Sequence, residues 1–516
     1  MSNKQIGDAK TSVSETDDSE SHSQVRGSSL LLSGQLVATA ISYATQILII
    51  RYLSKSDYGA FAYALSIVAV LQAAVQFGFD RGLSRYLPIY DEKSDTGSII
   101  GAITFVGGMA AGFGSVAAVV FWTTRSLIEG ALIEDPLAVS VLAILVVLAP
   151  VDALDNLLIT ILAAFRRTGA IFLRRYVVAP LLKFATVVLL IGTGSNVKFL
   201  AVGYATAGFI GLVVFASVLG RYLSLRRSKD PMSPIRFPIR ELATFSLPLL
   251  TTDLVFMVFN ASDSIMLEWF GSTVDVATLR AVQPTARLNQ LVLSAFGVLY
   301  IPYIARLFAR GEHDEVGRRY WQTVNWVVML SLPVLSLCLL FPNELTGRLL
   351  GGDYADSAAV LGVLAVGYFI HAMFGFNGMT LNVYRKIGYL VGVNLAAVSV
   401  NVALNLALIP SMGPLGAAIG TTGSFLFHNI AKQYGLIRRV GLSRASSSTW
   451  RLYALVIGVA TTSAVVGYGS GIPFWGRVGL WAAFGAIAIL VGRKILRIDE
   501  AFPGLARIPL IRRIFR

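Results

Sequence analysis

Three polar residues in one apolar segment raise the first question of chemistry. In ELATFSLPLLTTDLVFMVFNASDSIMLEWF, Asp253, Asn260 and Asp263 are seven and three residues apart, so on a helix they share about one face. Two more acids, Asp152 and Asp155, interrupt the apolar run that ends at Phe165. Asp152 stands thirteen residues before Phe165, which is about 20 Å along a helix. Lys183 and Arg287 lie inside other apolar runs. An ionised side chain in lipid costs about 2.5–3.5 kcal/mol. Arg287, Lys183, Asp253, Asp263, Asn260 and Asp152 are therefore expected to line a polar cavity, with both cations buried. The competing reading is structural pairing, Asp263 with Arg287 for example. The acids on the run before Phe165 are too isolated for hydrolase chemistry, and no catalytic residue is assigned. His371 and His428 read as hydrogen-bonded packing residues, and Asn401 and Asn405, one turn apart, as polar glue between helices. Cys338 is the lone cysteine, so no intrachain disulfide or cysteine cluster forms, and neither a metal nor a cofactor is expected.

These residues need helices in lipid to hold them. The chain is 55% hydrophobic and 14% charged, against about a quarter charged in soluble domains, and its mean hydropathy is +0.68. Runs near the ~20 residues that cross a bilayer recur throughout. The signal is continuous, which excludes a transmembrane β-barrel with its alternating strands. Fourteen spans are expected, at 30–50, 59–80, 98–122, 137–165, 170–192, 199–221, 241–268, 278–305, 320–341, 357–384, 388–409, 414–437, 450–469 and 474–495. Residues 1–29 are polar, lack the apolar core of a signal peptide and read as a disordered cytoplasmic tail.

Basic residues set the expected orientation. With the N-terminus cytoplasmic, the inner segments hold 30 Lys and Arg and the outer loops seven. The protein is thus expected as a multi-pass protein of the cell membrane with both termini cytoplasmic. FRRTGAIFLRRY at 165–176, with Arg166, Arg167, Arg174 and Arg175, then reads as topology anchors at an inner turn. No nucleic-acid partner is implied.

A shift of 218 places RYLSKSDYGAF (51–61) on WFGSTVDVATL (269–279), matching Ser54 to Ser272 and Asp57 to Asp275. A shift of 219 places FRRTG (165–169) on YRKIG (384–388) and Asp152 on His371. The expected fold is all-α: a polytopic membrane protein of about 14 transmembrane helices. It has two six-helix pseudo-symmetric halves, 30–221 and 241–437, joined by a cytoplasmic linker at 222–240. Two extra helices follow within 438–495, then a basic cytoplasmic tail at 496–516. An even number of spans per half gives a parallel repeat, in which a substrate site lies between halves near the midplane.

Three stretches carry a family resemblance: RYLSKSDYGAFAYALSIVAVLQAAVQFGFDRGLSRYLP (51–88), FSLPLLTTDLVFMVFNASDSIMLEWFGS (245–272) and VNVALNLALIPSMGPLGAAIGTTGS (400–424). In that order the chain resembles the polysaccharide-transporter family of O-antigen and teichoic-acid flippases, within the multidrug/oligosaccharidyl-lipid/polysaccharide exporter superfamily. Where relatives carry a Gly-hydrophobic-Tyr turn after the seventh helix, this chain reads DVATLRAVQP, so Arg280 has no family counterpart. The resemblance implies a flippase that moves a lipid-linked oligosaccharide, its glycan on polyprenyl or dolichyl phosphate, by alternating access. It implies a role in surface polysaccharide or S-layer glycoprotein synthesis, with membrane lipids and the glycosyltransferases of the pathway as partners. Depth and charge then suggest Arg287 and Lys183 for neutralising the phosphate. Asp253 and Asp263 would bind sugar hydroxyls or an ion. The alternatives are a multidrug/cation antiporter of the same superfamily and, further off, a membrane glycosyltransferase or polymerase. The short outer loops argue against an enzyme.

Overall fold

The computed structural model describes residues 33–76, 78–130, 133, 135–230, 234–469 and 471–496. The side chains of several helical residues, 247–256 and 258–260 among them, lie outside that description. The architecture is helical. In chain order, α1 (Ser33–Tyr52) and α2 (Lys55–Gln76) lead into α3 (Phe79–Glu92) and α4 (Thr96–Ile128). Next come α5 (Pro136–Leu145), α6 (Leu148–Ala164), α7 (Thr168–Thr193) and α8 (Val197–Lys229). Then follow α9 (Ile239–Phe270), α10 (Thr273–Ala286), α11 (Asn289–Ala309) and α12 (His313–Leu340). The last are α13 (Ala358–Phe374), α14 (Phe376–Val383), α15 (Ile387–Gly435), α16 (Ser447–Gly469) and α17 (Phe474–Leu496).

Among the described residues each of the fourteen expected spans overlaps helix, and the spans expected at 59–80 and 278–305 each cover parts of two helices. Ten helices among the described residues are long and apolar enough to cross a membrane, and a bent pair covering Asn289–Ala309 makes up to eleven. One of the ten, Ile387–Val440, contains two expected spans. Pro410 and Pro414 bracket Gly413, whose φ of 53° and ψ of −129° break the helix there. Gly420 then packs against the Asn405 side chain and Gly416 against the Leu408 carbonyl, so the two limbs fold back on each other. Large apolar side chains such as Val116, Val119, Ile457 and Val465 are more than half exposed, as lipid-facing helices require.

The chain divides into two compact units. The first comprises residues up to Leu48, Leu71–Trp122 and Ile144–Leu250. Its apolar core gathers Phe79, Leu83 and Leu87 of α3, Leu157 and Ile161 of α6, and Phe215 of α8. The second comprises Ile49–Val70, Thr123–Ala143 and everything from Thr251. There α16 and α17 pack on α12 and its neighbours. The Tyr468 hydroxyl donates to the Ala358 carbonyl at 2.7 Å and the Trp481 indole to the Pro333 carbonyl at 3.0 Å.

Two turns repeat bond for bond at the offset of 219. After α6, Phe165 N–H bonds Ile161 O at 3.1 Å, Arg166 bonds Ala163 O at 3.0 Å and Arg167 bonds Leu162 O at 2.8 Å. After α14, Tyr384 bonds Thr380 O at 3.0 Å, Arg385 bonds Asn382 O at 2.9 Å and Lys386 bonds Leu381 O at 2.9 Å. This is the Schellman pattern, normally closed by glycine. Here Arg166 and Arg385 both take a φ of 55°, a conformation that costs a non-glycine residue about 1–2 kcal/mol. The N-caps of α2 and α10 match in the same way. Ser54 Oγ accepts from Asp57 N–H at 3.1 Å, and Ser272 Oγ from Asp275 N–H at 3.4 Å.

Candidate functional site

In the first unit the polar groups collect where α6, α7 and α8 meet. Residues Phe172–Val178 of α7 form a π-helical turn, the kind of bulge often found at functional positions. The turn carries Arg174, which is 5% exposed and binds the Asp155 carboxylate through Nε at 2.8 Å. Gly211 of α8 makes this possible, because a Cβ there would overlap the guanidinium. The Phe215 ring centroid lies 5.7 Å from Arg174 Cζ. Arg174 is therefore a buried partner of Asp155, not one of the solvated topology anchors expected at the inner turn. Asp152, one turn before Asp155, is half-buried and interacts electrostatically with Lys183, Asp155 and Arg174. Lys183 is exposed, contrary to the expectation of a buried cation, and its Nζ lies 5.3 Å from the Tyr204 ring centroid. Lipid and water can both reach a long side chain of that kind, so burial is not needed to keep it charged.

In the second unit α9, α10, α13 and α15 build a different set. Asp263 is 3% exposed; its Oδ1 accepts from Asn405 Nδ2 and its Oδ2 from Thr421 Oγ1, both at 2.6 Å. Ser262 Oγ donates to Asn401 Oδ1 at 2.8 Å. Asn405 Oδ1 is buried without a hydrogen-bond partner among the described residues. The asparagines expected to glue helices thus hold a carboxylate, and the pairing of Asp263 with Arg287 is not formed as a hydrogen bond.

Arg287 instead sits at a break in what the sequence reads as one span. Pro284 has no N–H to continue the helical ladder and crowds the carbonyl four residues back. Helix α10 ends at Ala286, Arg287 caps it and α11 begins at Asn289. A cation at a helix C-terminus is favoured by the helix dipole. Arg287 is half-buried; its Nε donates to the Tyr368 hydroxyl at 2.7 Å, and that ring lies 5.3 Å from Cζ. Its Nη groups have no hydrogen-bond partner among the described residues. Arg280 lies two turns earlier and donates to Ser264 Oγ at 2.6 Å, Gln283 Oε1 at 3.0 Å and Ser66 Oγ at 2.8 Å. Both arginines act electrostatically on Asp263.

The structure thus brings Asp152 and Lys183 together in one unit and Asp263 and Arg287 together in the other. The side chains of Asp253 and Asn260 lie outside the described residues. Tyr368, Thr421 and Arg280 escaped the sequence reading. A tyrosine and a threonine on apolar helices give no signal of their own, and nothing in the sequence says that Arg280, near the start of the expected span at 278–305, turns toward Ser264 and Ser66. His428 bonds Asn394 Oδ1 at 2.8 Å, and His371 stacks on Phe425 with centroids 4.8 Å apart.

Comparison with known proteins gives these geometries a context. Residues 24–308 match the family described as polysaccharide biosynthesis protein, and residues 248–407 match the MatE family. An uncharacterized membrane protein of Methanocaldococcus jannaschii is 22% identical over 412 residues, covering 77% of this chain and 80% of that protein. A probable low-salt glycan biosynthesis flippase of Haloferax volcanii is 22% identical over 143 residues, 28% of this chain and 30% of the relative. Among solved structures, the lipid II flippase MurJ in an inward closed conformation superposes with a TM-score of 0.69 at 12% identity, over 91% of this chain and all of that one. An inward-facing multidrug resistance MATE family transporter of the MOP superfamily gives 0.62 at 15% identity, over 81% of this chain and all of that one. These likenesses show the fold.

Proposed function

The chain belongs to the polysaccharide biosynthesis protein family, and from that premise we propose that it is a flippase for a lipid-linked oligosaccharide. As a multi-pass membrane protein with the flippase fold, it would carry the glycan on a polyprenyl or dolichyl phosphate across the cell membrane by alternating access. The glycan would serve surface polysaccharide or S-layer glycoprotein synthesis, downstream of the glycosyltransferases that build it. Both termini would be cytoplasmic, as the basic-residue count favours, with a six-helix half on each side of the 222–240 linker.

The observation that carries this reading is Arg287. Among the described residues Tyr368 holds the guanidinium through Nε, which leaves the two Nη groups in the fork geometry that grips a phosphate. Lys183, exposed beside Tyr204, would offer a cation in the first unit. Asp263 would bind the coupling ion, since its buried carboxylate has hydroxyl and amide partners and Asn405 Oδ1 has no hydrogen-bond partner among the described residues. A multidrug/cation antiporter is the second reading, favoured by the MatE match over 248–407.

The deciding experiment deletes the gene and asks on which membrane face a lipid-linked oligosaccharide builds up. Build-up on the inner face, restored by the wild-type gene, is expected. Arg287→Gln should slow flipping roughly ten- to a hundredfold, the worth of a hydrogen bond to a charged group. An unchanged lipid distribution, together with drug resistance on expression, would favour the antiporter.

A further inference from the structure

The inner turn of the first unit holds a cavity that the transport reading does not use. It has a volume of about 460 Å³ and lies between the end of α6, the start of α7 and the end of α8. Leu162, Phe165, Leu219 and Tyr222 form its walls, and Arg166 and Arg167 stand at its rim. Phe165 and Tyr222 pack with ring centroids 5.2 Å apart. The Arg167 guanidinium lies 5.2 Å from the Tyr222 centroid, and that of Arg226 lies 5.0 Å from the Phe165 centroid. A second cavity of about 200 Å³, walled by aliphatic side chains such as Leu157, Leu212 and Ala216, shares Leu219 with the first.

The duplicated turn shows why the space is there. The offset of 219 carries Ala170, a wall of the cavity, onto Tyr389, and Ala216 onto Gly435. In the second unit Tyr389 packs its ring against Gly435, where a Cβ would overlap it. Its hydroxyl donates to the Ala431 carbonyl at 2.5 Å, and Arg439 lies 4.4 Å over the ring. One copy of the turn is therefore filled by its own tyrosine. The other has an alanine at that position and a cavity beside it.

We propose that this cavity binds a resident anionic phospholipid, with the phosphate at Arg166 and Arg167 and the first chain carbons running from Tyr222 and Leu219 into the adjoining cavity. Charge complementarity selects the headgroup, because basic pockets between transmembrane helices favour anionic lipids. The described residues lining the cavity include no carboxylate and no amide side chain. A glycan head would find few acceptors for its hydroxyls there, and a bare phosphate would leave the apolar walls uncovered. The volume falls within the usual range for small-molecule sites, about 300–1,000 Å³.

The test uses the purified full-length protein and native mass spectrometry after exchange into phosphatidylglycerol or phosphatidylcholine. Wild type should retain one phosphatidylglycerol at least tenfold better than phosphatidylcholine. Arg166→Gln with Arg167→Gln, both exposed side chains, should abolish that preference while the protein elutes unchanged on gel filtration. Ala170→Tyr should lose the bound lipid by filling the space. Equal retention of phosphatidylglycerol by wild type and the double arginine variant would overturn the proposal. So would displacement of phosphatidylglycerol by equimolar polyprenyl phosphate, which would assign the cavity to the carried lipid.

Discussion

Asp155 and Asp263 are two carboxylates on apolar helices, and their partners differ in kind. Asp155, itself half-buried, meets the buried guanidinium of Arg174 at 2.8 Å. Asp263 meets an amide and a hydroxyl at 2.6 Å, with arginines acting on it from farther away. The first pair neutralises itself and resembles a fixed cross-brace between α6 and α7. The second keeps its carboxylate bonded to neutral groups, where a change of protonation or a bound cation alters the local balance. A buried charge paired for good serves architecture, whereas one held by neutral dipoles can take part in a cycle.

The largest test of that contrast breaks the brace. Removing one member of a buried ion pair costs about 3–5 kcal/mol, because the other is left unpaired, while replacing both with apolar groups is often neutral or stabilising. Arg174→Ala should therefore lower the thermal midpoint in detergent sharply. Asp155→Leu combined with Arg174→Met should restore it and leave flipping near wild type. A double variant that melts like wild type but does not transport would move the pair from architecture to function.

A smaller structural effect, with a larger functional one, is expected at the other carboxylate. Asp263→Asn keeps the shape and exchanges a charge for an amide, so the folded protein should stay within about 1 kcal/mol of wild type, the net worth of one hydrogen bond. Transport driven by a sodium or proton gradient should be lost in proteoliposomes, along with any shift of the thermal midpoint on adding sodium. If the variant still follows the gradient, Asp263 is only a second brace and the contrast collapses.

Much of this is legible in the sequence. The helical class and the spans follow from uninterrupted apolar runs, since lipid forbids unpaired backbone. The duplication was visible because FRRTG and YRKIG keep their polar residues, and the backbone bonds of the two turns match in the same register. What was not legible depended on choices between neighbours. Nothing in FLRRY says that Arg174 turns inward while Arg175 stays exposed; that needs Gly211 on another helix to make room. The break before α11 was signalled by Pro284, but whether a proline kinks or ends a helix depends on what satisfies the freed groups. Lys183 was expected to be buried because a one-dimensional reading gives depth along a helix and not which way the side chain faces.

A carboxylate that caps a helix supplies the baseline for Asp155 and Asp263 and the smallest effect. Asp95 precedes α4, and its carboxylate accepts from Ser98 N–H at 2.9 Å and from Ser98 Oγ at 2.7 Å. Partial burial pushes its pKa up, but the two bonds from Ser98 and the charges of Arg236 and Lys93 outweigh that and hold it below the usual carboxylate value. A lowered folded-state value means stability that is fully present above the unfolded pKa of about 3.9 and is lost as pH falls through the folded one. Asp95→Ala should thus cost about 1 kcal/mol near neutral pH, as loss of an N-cap does. In melts run from pH 7 down to pH 3, the gap between variant and wild type should narrow at the acid end. A gap of constant size would mean that Asp95 acts through shape alone. The acid sensitivity of the whole protein would then have to come from other carboxylates.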